Sequence, residues 1–173
     1  MLQLATGEEP VLTNPTQFSR LFDEYHGLVF RTAYRMTGNA ADAEDVLQNI
    51  FLRLVRRDSS LSLVNEESYF RRAAVNASLD VLRARQTNAD VSLDAVPAGH
   101  AGPPSELQEC LRRSFGKLSP RSAEIFALRY FQDFTNQQIA QMLDMSQVLV
   151  AVTLHRTRRQ LQKEINSYFG GKR

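Results

Sequence analysis

Along the first half of the chain, apolar positions recur at steps of three and four, the spacing of helices that bury one side. Phe18, Leu21, Phe22, Tyr25, Leu28, Val29 and Met36 form the first stripe, opened by Asn14 as a cap with Pro15 in the first turn and closed near Gly38. Asn39 predicts the cap of a second helix, whose stripe is Val46, Leu47, Ile50, Phe51, Leu54 and Val55. Its acids Asp42, Glu44 and Asp45 come early and Arg53, Arg56 and Arg57 late, so both ends suit the helix dipole. After a loop over Asp58 to Val64, Asn65 predicts the cap of a third helix running to about Arg85, with Tyr69, Phe70, Ala73, Ala77, Val81 and Leu82 inward. Three such helices close as a bundle.

Periodicity then stops. Residues 86–104 hold no sustained pattern, and Pro97, Gly99, Gly102, Pro103 and Pro104 crowd its end, which predicts a flexible linker. A second helical block opens at Ser105, with Leu107, Leu111, Phe115 and Leu118 inward. Ser119-Pro120 starts another helix carrying Ile125, Phe126 and Phe131. Thr135 to Gln138 has capping-box form, the hydroxyl and the amide each able to satisfy the other residue's backbone donor. A short helix to Leu143 follows, and Ser146 caps a last helix to about Phe169. The expected fold is all-α: two small helical domains joined by a flexible linker.

Composition narrows the class of function. An apolar fraction of 43% supports packed cores, and no run of residues is long and uncharged enough for a membrane span. The N-terminus lacks the basic-then-apolar layout of a signal peptide, and the one cysteine, Cys110, cannot pair within the chain, so a cytoplasmic location is expected. The net charge of +2 in 173 residues conceals a division. Residues 1–99 carry 10 basic and 13 acidic side chains, while the remainder carries 11 basic and 6 acidic.

No enzyme chemistry stands out. His26, His100 and His155 are far apart in sequence and lack metal-ligand spacing, and no glycine-rich phosphate loop or nucleophile elbow occurs. The adjacent Glu66 and Glu67 sit at a helix start, where capping accounts for them. Neither a cofactor nor a metal is expected. The stretch 135–155 has the layout of a helix-turn-helix, with Ala140 at the close crossing, a turn at Asp144-Met145, and Val150 and Leu154 facing Ile139 and Leu143. By itself this spacing also fits a plain helical hairpin.

Two runs settle which. Gly38 to Gln48 (GNAADAEDVLQ) continuing into Phe51 to Leu54, and Leu118 to Glu124 (LSPRSAE) with Leu128 to Tyr130 and Ile139-Ala140, resemble the two domains of the extracytoplasmic-function (ECF) group of sigma factors, subunits of bacterial RNA polymerase in the sigma-70 family. The resemblance spans about Thr16 to Ile165 in the family's order. It implies an N-terminal tail at 1–15, a region 2 bundle at 16–85, a linker at 86–104, a region 4 helix-turn-helix at 105–169 and a short tail at 170–173. Region 2 then docks on the polymerase clamp through Asp42, Asp45, Gln48, Asn49 and Leu52, on the face opposite the core stripe. Asp42 and Asp45 also serve as helix-start charges.

The resemblance further implies opening of the promoter −10 element by the third helix, where the cost of unstacking bases is offset by contacts to the extruded ones. Tyr69 stands where the family usually has Trp, and its ring is also a core candidate. Asn76 falls on the family's Asn, and Arg72, Arg83 and Arg85 are candidate phosphate contacts. The family's dense arginine cluster after this helix is thinned here to RARQTN.

Region 4 implies reading of the −35 element in the major groove by the helix begun at Ser146. The family's Gly-Thr-Val-Lys-Ser-Arg type of run is replaced by Val148-Leu-Val-Ala-Val-Thr153, and the usual turn glycine by Asp144. Groove-facing positions are Ser146, Gln147, Val148, Ala151, Val152 and His155, only three of them polar. Arg156, Arg158, Arg159 and Lys163 follow as phosphate contacts. Base readout is therefore expected to weaken or to shift toward apolar contacts such as thymine methyls. Alternatively, the strip Val148, Leu149, Val152 meets a protein such as an anti-sigma factor. Core polymerase, promoter DNA and an anti-sigma factor are the expected partners, with no small-molecule substrate. The rival reading is a degenerate sigma-like module that holds polymerase or an anti-sigma factor without recognising promoters.

Overall fold

A computed structural model describes residues 15–56, 65–89 and 105–170. These residues form seven helices: α1 (Pro15–Thr37), α2 (Ala40–Arg56), α3 (Glu66–Ala89), α4 (Glu106–Gly116), α5 (Pro120–Tyr130), α6 (Asn136–Met142) and α7 (Gln147–Gly170). The predicted cap Asn14, the loop over 58–64 and most of the expected linker lie outside the described residues.

Local chemistry sets most helix starts. Asn39 Oδ1 accepts from the Asp42 amide at 3.2 Å, and Asn65 Oδ1 from the Ser68 amide at 2.9 Å. Ser105 with Gln108, and Thr135 with Gln138, form complete capping boxes. Ser119 caps α5 ahead of Pro120, and Ser146 Oγ accepts from the Leu149 amide at 3.2 Å to open α7. At the end of α1, Gly38 takes φ 66°, and its amide donates to Tyr34 O at 2.8 Å. A side chain there would meet the left-handed backbone penalty and also the Arg112 guanidinium, which passes over the glycine.

Three apolar cores follow the chain. The first joins α1, α2 and α3 around Leu21, Val29, Val46, Ile50, Phe51 and Phe70. Phe22, expected inside, is more than a third exposed and rests its ring on Phe51 at 5.0 Å. The third core packs Ile125, Leu128, Ile139, Ala140, Leu143, Val150 and Leu154 beneath the two-helix turn. Between them lies a shared core in which Met36, Val75, Leu79 and Leu82 of the first block meet Phe115, Leu118, Ala123, Ala127 and Leu161 of the second.

That shared core makes α3 the central helix. Its tyrosine-to-valine stripe packs on α1 and α2, while Val75, Leu79 and Leu82 pack on α4 and α5. Full burial of each such side chain contributes roughly 1.5–3 kcal/mol, against roughly 0–1 kcal/mol for an exposed ion pair. Apolar contact therefore dominates the joint between the blocks, and the ion pairs along it fix its register. The same joint extends α3 past the expected end at Arg85 to Ala89, with Gln86 Nε2 donating to Arg113 O at 2.7 Å.

Helix α4 corrects one expectation. Leu107 and Leu111 are largely exposed, and the buried side carries Cys110, Ser114, Phe115 and Gly116. A helix wedged against both α3 and α7 needs small residues at the crossing, so the face with Cys110 and Ser114 turns inward instead of the two leucines. Gly116 lies close under α3: a Cβ there would meet the side-chain amide of Gln86.

Candidate nucleic-acid interface

The clearest surface feature lies on α7. Val150, Leu154, Thr157 and Leu161 point into the protein. Gln147, Val148, Ala151, Val152, His155, Arg156, Arg158, Arg159 and Lys163 are all exposed, and Ser146 is exposed at the cap. Every residue of the −35 set expected on this helix and its cap is thus on the open side. The turn before α7 is a Schellman closure: the Met145 amide donates to Ala140 O at 2.9 Å, and Asp144 occupies the left-handed position at φ 49°. Ala140, buried at the crossing, lets α7 approach α6 closely. A helix-turn-helix is the geometry formed.

On α2 the predicted docking face divides. Asp45, Gln48, Asn49 and Leu52 are exposed, Leu52 to 50%. Asp42 is not part of that face. It turns toward α3, where it contacts the Arg85 guanidinium, and only 16% of its side chain is open. Burial raises the Asp42 carboxyl above its ordinary value, and Arg85 offsets that in part.

The set expected on α3 is also rearranged. Tyr69, Arg72, Asn76 and Arg83 share one side of the helix, since their spacing returns close to the same angle. Arg85 lies on the far side against Asp42. Asn76 is exposed, whereas the Tyr69 ring is half-buried, edge-on to Phe70 at 5.3 Å. Arg72 Nε donates to Glu124 Oε1 at 2.7 Å. Arg83 donates to Leu118 O at 2.9 Å and to Gly116 O at 3.3 Å, capping the carbonyl end of α4. Both arginines therefore bind the second block in this arrangement rather than standing free for phosphates.

Sequence reasoning missed the residues that complete this joint. Arg71 pairs with Glu67 at 2.6 Å, donates to Gln132 Oε1 at 2.7 Å and stacks 4.8 Å over the Phe134 ring. Arg35 donates to Phe131 O. Glu124 is 4% exposed and receives both Arg72 and, at 3.2 Å, Arg121. The adjacent pair Arg71-Arg72 was the available signal, since both guanidiniums reach the second block, Arg71 at Gln132 and Phe134 and Arg72 at Glu124. Among the described residues no cluster of acids, histidines and cysteine could hold a metal, and no helix is long and apolar enough to cross a membrane.

The two helical blocks coincide with two known regions. Sigma-70 region 2 matches residues 21–87, and Sigma-70, region 4 matches residues 108–161. The chain belongs to the sigma-70 family, in its ECF group. Among ECF relatives it is similar to the ECF RNA polymerase sigma factor SigW of Bacillus subtilis, 26% identical over 86% of this chain and 88% of the relative. It is also similar to the ECF RNA polymerase sigma factor SigE of Mycolicibacterium smegmatis, 28% identical over 91% of this chain and 64% of the relative. Among solved structures, the sigma factor RpoE of Bartonella quintana, crystallised with the anti-sigma factor NepR, shares the fold with a TM-score of 0.52 at 17% identity, covering 87% of this chain and 98% of that one.

Proposed function

We propose that this ECF sigma factor binds core RNA polymerase in the cytoplasm, directs it to promoters and assists strand opening, with no bond-making chemistry of its own. The observation that carries the reading is the match of regions 2 and 4, in order, onto the two helical blocks. On α2, Asp45, Gln48, Asn49 and Leu52 form the exposed polymerase-facing set, and Asp42 supports it from behind through Arg85. On α7, the Ser146-capped turns enter the major groove of the −35 element while Arg156, Arg158 and Arg159 grip phosphates.

Tyr69 and Asn76 are the −10 contacts, joined by Arg72 and Arg83 once these leave the second block. Engagement of the −10 strand thus requires α3 to part from α4 and α5, at the cost of reopening the shared apolar core. An anti-sigma factor, such as the one bound to the Bartonella quintana relative, is a further proposed partner. The deciding experiment reconstitutes the chain with bacterial core polymerase and sequences transcript starts from a random promoter library. Enriched −10 and −35 motifs upstream of the starts are expected. Polymerase binding with no initiated transcript would overturn the reading.

A further inference from the structure

Opposite the buried side of α7, Val148, Val152, His155 and Arg159 follow one another along a single line, at steps of four, three and four. The first two turns of that line are apolar and the next two are basic or imidazole. Val148 is 72% exposed, Val152 38%, and the flanking Leu149 51%. Among the described residues none buries them, and valine in an exposed helix helps neither helix propensity nor solubility.

Two occupants would bury such a strip: a protein surface or duplex DNA. The continuation of the line favours DNA. In a helix-turn-helix the first turns of the second helix reach base edges while later residues lie beside the backbone. Here the apolar pair occupies the base-edge turns, and Arg156, Arg158, Arg159 and Lys163 occupy the backbone turns. A partner chosen for the valines alone would not call for that arrangement of charge.

Valine has neither donor nor acceptor, so it cannot read the hydrogen-bonding edges of guanine, cytosine or adenine. The one apolar group on a major-groove edge is the C5 methyl of thymine. We propose that Val148 and Val152 recognise thymine methyl groups in the upstream promoter element, with the exposed Gln147 beside them suited to an adenine edge. The inference rests on the promoter-binding reading above and adds the base class that this unusual helix selects.

Deoxyuridine differs from thymine only by the missing methyl, which makes the test direct. Core polymerase carrying the full chain selects a promoter from a random duplex library, and each thymine of the enriched upstream element is then replaced singly by deoxyuridine. Loss of one methyl from an apolar contact should weaken holoenzyme binding roughly four-fold at each of two positions. Val148→Ser with Val152→Ser should bind the thymine and deoxyuridine duplexes equally. Both valines are exposed, so an unchanged thermal midpoint is expected for that variant and is the check on its folding. Binding and transcription with no response to any methyl would overturn the proposal while leaving the sigma reading intact, and would assign the strip to a protein partner. A methyl response that survives in the serine variant would also overturn it. Failure to enrich any upstream element would overturn both readings together.

Discussion

Arg72 Nε lies 2.7 Å from Glu124 Oε1, tying the central helix of the first block to α5 of the second. The glutamate is 4% exposed and the arginine side chain 43%, so the pair is anchored on one side and wet on the other.

Glu124→Gln keeps the shape but removes the charge that holds both Arg72 and Arg121. The expected loss is about 1–2 kcal/mol, below that of a fully buried pair because both arginines reach solvent. Chemical denaturation measures the loss, and small-angle scattering should report a larger radius of gyration if the blocks separate more often. An unchanged radius together with unchanged stability would show the pair to be incidental to the joint.

Asp144 holds a left-handed backbone at φ 49° without being glycine. Asp144→Gly relieves that conformation, offset in part by the greater freedom of the unfolded chain, and should raise stability by about 0.5–1 kcal/mol. The gain should appear in the thermal midpoint without any change in promoter selection. A loss of stability would mean that the aspartate side chain supports the turn in a way its backbone does not reveal.

The capping residues were legible because their logic is local: Asn39, Asn65, Ser105, Thr135 and Ser146 each have a backbone donor three residues ahead. The long-range joint was not. Val75 and Leu79 are buried because a second block covers the far side of α3; with Leu82 they make a second apolar line at steps of four and three, but the line does not say what covers it. The leucines of α4 outrank Cys110 and Ser114 in hydrophobicity, yet close helix approach selects size over hydrophobicity. The separation of Arg83 from Arg85, by contrast, is implicit in the sequence, since a two-residue step turns about 200° around a helix.

Asp42 gives a pH signature. Its carboxyl is raised by burial, with Arg85 pulling in the other direction. A carboxyl whose folded value exceeds its unfolded one binds its proton more tightly in the fold. Its ionisation therefore opposes folding, and its contribution to stability falls as pH rises through the interval between the two values. Asp42→Asn should match or exceed the parent in thermal midpoint at pH 7, and the difference should close as pH drops below the ordinary carboxylate range. A variant clearly weaker at pH 7 would show that the Arg85 contact outweighs burial.

Arg156 and Arg158 flank the outward line of α7 and are exposed. Replacing both with alanine should weaken promoter binding by the holoenzyme and make the slope of log affinity against log salt shallower by about two. Fluorescence anisotropy over a salt series measures it, and an unchanged slope would remove both side chains from the phosphate contact.

Cys110 is the only cysteine in the chain and is 2% exposed, on the side of α4 that meets α3 and α7. The native sequence therefore carries its own kinetic reporter. A thiol reagent in excess can react only while α4 stands away from its neighbours, so the labelling rate of the unaltered protein counts those excursions directly. Comparing that rate before and after polymerase is added would time the parting of the two blocks without engineering a single residue.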